Sequence, residues 1–154
     1  MKWPFQSKTP AHISLSIDKY QLDAPLGEML GLIEFSNSEY ETLGRRFEGE
    51  KNYNAPPVIF LGHPWKLKLG TVRDIIYEIA IFSEVRRKEE ENPILMETIR
   101  YWIKKIVDMP TMMTGLTIWH TTDANVVLQS AETAEGQSIN LVLTSNSIRN
   151  FKRL

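Results

Sequence analysis

Ala11, Ile13, Leu15 and Ile17 alternate with His12, Ser14, Ser16 and Asp18, the two-residue period of a strand with one buried face. Gln21 to Gly27, carrying Pro25 and Gly27, reads as a turn, and Met29 to Phe35 is a second apolar run of strand length. Val58 to Leu61 forms a third, ended by Gly62-His63-Pro64. Residues 36–57 hold Gly44, Gly49, Pro56 and Pro57. Two readings stay open for them, a long irregular loop or a short extra strand around Arg45 to Phe47.

The middle of the chain shows a helical period. Thr71-Val72-Arg73-Asp74 resembles a capping box with Asp in place of Glu. Val72, Ile75, Ile76, Ile79, Phe82 and Val85 follow at three- and four-residue steps, which predicts a helix over about 72–90. Asn92-Pro93 has the form of an N-cap and first helical residue, and Leu95, Ile99, Trp102, Ile103 and Ile106 make one stripe. That pattern predicts a second helix over about 93–108, closed by Pro110.

Strands return in the last third. Leu116 to His120, Val126 to Ser130 and Ser138 to Thr144 are rich in apolar and β-branched residues. Thr122 to Asn125 and Ala134-Glu135-Gly136 supply the turns. The expected fold class is therefore α+β: a mostly antiparallel sheet, built from N-terminal strands and a C-terminal three-stranded meander. Two sequential helices pack on one of its faces. With 154 residues and no Gly/Ser linker, residues 1–154 are expected to form one domain.

Composition narrows the chemistry. The absence of cysteine rules out a disulfide framework, a thiolate metal site and a cysteine nucleophile, and fits a cytoplasmic, bacterial-type chain. Lys and Arg total 18 against 19 Asp and Glu, so there is no concentrated positive field for nucleic acid. No apolar run is long enough to span a bilayer as a helix. A partner of either of those classes is not expected, nor is a cofactor: no phosphate-cradling loop is present.

The catalytic candidates are sparse. His12, His63 and His120 lack the His spacing of a metal site. His120 with Asp123, or His63 alone in the Gly62-His63-Pro64-Trp65 corner, would be the centre of a small hydrolase or transferase. The competing reading of Asp123 and of Ser145-Asn146-Ser147 is turn and cap chemistry. Glu39, Glu41, Glu48 and Glu50, interleaved with Arg45 and Arg46, read as a mixed-charge surface.

Interfaces over-use Trp, Tyr, Met and Arg. Tyr53, His63, Trp65, Met112 and Met113 fall in expected loops and are the candidate binding residues for another protein. The expected function is a non-enzymatic protein-binding domain, most concretely a toxin-neutralising immunity protein or an adaptor. A carrier of a small apolar ligand between helices and sheet is the third possibility.

Overall fold

The computed structural model describes residues 15–35, 47–60, 62–85, 110–113, 116–120, 123–133 and 136–153. Within them ten strands form: β1 (Ser16–Ile17), β2 (Tyr20–Gln21), β3 (Ile33–Phe35), β4 (Glu50–Phe60), β5 (His63–Val72), β6 (Ile75–Val85), β7 (Pro110–Met113), β8 (Leu116–His120), β9 (Ala124–Thr133) and β10 (Gly136–Ser145). β1 and β2 pair only with each other. The other eight make one sheet in the order β3-β4-β5-β6-β10-β9-β8-β7. Every pairing is antiparallel. The sheet is thus two four-stranded meanders joined along β6 and β10.

The expected α+β class is corrected by this architecture. No α-helix occurs among the described residues, whose one helical element is a 3-10 turn at Asn146–Asn150. The first expected helix, 72–90, is replaced through Val85 by the end of β5, a turn and β6. The second, 93–108, lies outside the described residues.

The physical reason for the first error is visible along β6. It is paired on both sides, to β5 and to β10. Its inner face carries Ile79 and Ile81 and its outer face Ala80 and Phe82, so the run is nearly continuously apolar and satisfies a helical template equally well. The isoleucines at 75, 76, 79 and 81 favour the strand, because β-branching stiffens χ1 and suits a pleated surface.

Thr71 to Asp74 does not cap a helix either. Thr71 Oγ1 donates to the Lys51 carbonyl at 3.0 Å. Arg73 and Asp74 have φ of 52° and 65° and link the paired residues Val72 and Ile75, the signature of a type I′ hairpin turn. Arginine pays a steric penalty in this left-handed region, whereas Asn-Gly suits it. The double substitution Arg73→Asn/Asp74→Gly is therefore expected to stabilise the protein by about 1 kcal/mol. In a helix the same Gly would cost about that amount, so the direction of the shift in denaturant midpoint tests the hairpin.

The three C-terminal strands expected from sequence are present as β8, β9 and β10, paired as a meander. Their alternation sets the core. Thr117, Trp119, Val126, Leu128, Ile139, Leu141 and Leu143 are buried. All of these but Thr117 join Trp65, Leu67 and Leu69 of β5 and Ile79 and Ile81 of β6 in one cluster. Leu15, Ile17, Tyr20, Leu22 and Leu26 of the N-terminal hairpin complete it. That hairpin is also fastened by backbone bonds: Asp23 N–H to Ile76 O at 2.8 Å, Ile76 N–H to Ala24 O at 3.0 Å and Leu26 N–H to Asp74 O at 2.7 Å.

A second, smaller cluster is built from Phe47, Val72 and Tyr77, with Ile148 and Phe151 against it. The three rings of Phe47, Tyr77 and Phe151 meet edge to face with centroids 5.2–5.7 Å apart. A Cβ on Gly70 would lie 2.9 Å from two ring carbons of Tyr77. Glycine is what lets that ring lie on the strand. The Tyr77 hydroxyl donates to a Glu50 carboxylate oxygen.

Candidate functional site

Trp65, the aromatic anchor expected from sequence, is 1% exposed. Its Nε1–H donates to the Phe60 carbonyl at 2.9 Å, and its ring meets the Phe60 ring at a centroid distance of 6.2 Å. The indole belongs to the core. Tyr53 lies in β4 opposite Leu69 and is half-buried against the same core. His63 opens β5 opposite Phe60. Met112 and Met113 lie in β7, at the register positions of Thr117 and Leu116, at the far end of the sheet. The structure does not gather these five residues into one surface.

The catalytic alternatives fare differently from one another. His120 ends β8, and its Nδ1 lies 2.8 Å from Asn125 Oδ1 across the strand pair. Asp123 stands in the turn, where its backbone carbonyl accepts from Asn146 N–H at 2.8 Å. Ser145, 1% exposed, caps the 3-10 turn by accepting from Ser147 N–H at 3.1 Å. It donates to Asp23 Oδ1 at 2.6 Å. This is the cap chemistry its sequence suggests, and it also ties the N-terminal hairpin to the end of β10. Burial, and secondarily the Asp18 carboxylate, hold the Tyr20 phenol above its ordinary pKa. Among the described residues no three His, Asp or Glu side chains converge as a metal site requires. Among them too, no helix is long and apolar enough to cross a membrane.

Of the mixed-charge set, Glu48 pairs with Lys152 at 3.6 Å, both side chains largely exposed. Glu50 is engaged with Tyr77. Glu39, Glu41, Arg45 and Arg46 lie outside the described residues.

The feature that the sequence did not disclose is apolar exposure at the β3 end of the sheet. Leu30 is 84% exposed, Ile33 68% and Ile59 70%. Ile33 sits on β3, the terminal strand of the sheet among the described residues, opposite Asn54. Ile59 sits on β4 opposite Pro64, past a bulge between Ala55 and Val58. Pro56 and Pro57 occupy that bulge and have no N–H to give a ladder. The turn holding Leu30 abuts it, since a Cβ on Gly31 (φ +80°) would lie 2.9 Å from Pro56 Cγ. Beside this edge, on the outer face, Lys66 and Lys68 are exposed. Lys68 Nζ stands 5.2 Å from the Phe35 ring centre and 5.5 Å from that of Phe82. The Pro-Pro pair in the sequence is compatible with such a bulge, where a ladder donor is not needed.

Comparison with protein-family models, with curated proteins and with solved structures finds no match for this chain.

Proposed function

We propose that this chain is a protein-binding module whose contact surface is the β3–β4 edge, in the role of a toxin-neutralising immunity protein or an adaptor. The observation that supports the reading is the concentration of Leu30, Ile33 and Ile59, all more than two-thirds exposed, at one end of the sheet. Large apolar side chains left in water on a contiguous surface mark sites of association. A few well-packed side chains supply most of the affinity of an interface. Lys66 and Lys68 form a polar margin to the patch, as a rim does.

The test uses the purified chain as bait in extract of its native organism, with Ile59→Asp as the control bait. Because Ile59 is exposed, the variant is expected to keep the wild-type melting curve while its affinity for the captured, then purified, partner falls by about 2 kcal/mol or more. A folded Ile59→Asp protein that holds the same partner as tightly would remove this surface from consideration. A reading frame for a toxin adjoining that of this chain, its product neutralised in a co-expression assay, would support the immunity role over the adaptor role.

A further inference from the structure

We propose that the partner of this surface presents an acidic polypeptide segment, its carboxylates seated on Lys66 and Lys68 and its aliphatic side chains on Ile33 and Ile59. The proposal rests on the reading of this end of the sheet as a contact surface and names the chemistry of what that surface meets.

Register places the four residues on one face. Ile33 stands opposite Asn54, which stands opposite Lys68, and Ile59 stands opposite Pro64. Pro64, Lys66 and Lys68 alternate with the buried Trp65 and Leu67, so they share the outer face of β5. The rows of Ile33 and Ile59 are four residues apart along β5, about 13 Å at the rise of a strand. Lys68 lies in the row of Ile33, and Lys66 lies between the two rows. A partner wide enough to bury both isoleucines reaches both lysines, one or two strands away at about 5 Å per strand.

Lys68 is held in that position. Its Nζ stands 5.2 Å from the Phe35 ring centre and 5.5 Å from that of Phe82, so it leaves the face only by giving up both rings. A cation covered by a partner without an opposite charge is desolvated and unpaired, and such an interface is strongly disfavoured. The ladder neighbours supply no such charge: Lys66 is opposite Phe82, and Lys68 is opposite Ala80 and Asn54. Glu78 and Glu84 hold register positions of β6 one row further out at either end. Glu34, opposite Tyr53, alternates with Ile33 and belongs to the other face. The complement must therefore come from the partner. The aliphatic flank selects a polypeptide among polyanions. Ile33 and Ile59 offer no ring on which a base could stack, and two lysines on a chain of net charge −1 make no concentrated positive field.

A random dodecapeptide display library panned on the wild-type chain tests this. The selected peptides are expected to carry about twice the library's content of Asp and Glu or more, beside Leu, Ile or Val. Their affinity is expected to fall about tenfold or more on Lys66→Glu/Lys68→Glu and about threefold or more on Lys66→Gln/Lys68→Gln. It should also fall about fivefold as salt rises from about 0.05 to 0.5 M. Both lysines are exposed, so the two variants are expected to keep the wild-type melting curve. Peptides without acidic enrichment, unchanged affinity for the folded variants, or equally tight binding of an oligothymidine would each overturn the proposal. If peptides or a captured partner depend on Ile59 but not on the lysines, the acidic chemistry fails and the protein-binding reading stands. If acid-rich peptides need the lysines and ignore Ile59→Asp, the carboxylate contacts hold and the reading of the apolar patch fails.

Discussion

Replacing Trp65 by alanine is expected to destabilise the protein by about 3–5 kcal/mol, the range for a large aromatic removed from a core. Three losses combine. The indole is 1% exposed, so truncation leaves a cavity that the paired strands around it cannot close. Its edge-to-face contact with Phe60 disappears. The Phe60 carbonyl loses the donor it has at 2.9 Å. Chemical denaturation of Trp65→Ala beside Ile59→Ala gives the comparison, since Ile59 is 70% exposed and its truncation should stay within about 0.5 kcal/mol. A loss below about 1 kcal/mol for Trp65→Ala would place the indole outside the core and return it to the list of contact residues. With a domain's whole stability at about 5–15 kcal/mol, the expected loss leaves a marginal fold. Reduced partner binding by this variant would therefore reflect unfolding and not a missing contact.

Trp65 shows what a sequence discloses about a site and what it withholds. Its residue type and the turn before it suggested an exposed anchor. Its place was decided by parity, because Trp65, Leu67 and Leu69 alternate with Lys66 and Lys68 and so share the inner face of β5. That alternation was legible, as it was in β8, β9 and β10, where one-sided burial and turn residues agree. It failed for β6, where apolar residues on both faces erase the two-residue period. At residues 71–74 it failed because a Thr-x-x-Asp sequence fits both a cap and a tight hairpin. Exposed Ile33 and Ile59 were hidden for a related reason. An apolar residue in an apolar run looks buried until the end of the sheet is known, and strand order is a long-range property that local pattern does not contain.

The joint between the two meanders carries the second large expectation. Ile81 is fully buried, paired with Leu67 of β5 on one side and Leu141 of β10 on the other. It is a point where both halves of the sheet meet the same side chain. Ile81→Ala is expected to cost about 2–5 kcal/mol, through lost transfer energy and a cavity held open by ladders on both sides. Leu141→Ala should cost a similar amount. The double variant should cost less than the sum of the two, because both truncations enlarge one cavity and their shared contact is removed once. Val142, the next residue on β10, lies half-buried on the opposite face, so Val142→Ala should cost clearly less than Leu141→Ala. A helix over 72–90 packed on the sheet fixes no direct pairing between residues 81 and 141, whereas the β6–β10 ladder does. Coupling of at least about 0.5 kcal/mol between Ile81 and Leu141 in denaturant titrations is expected from the β6–β10 joint, and strict additivity would refute it.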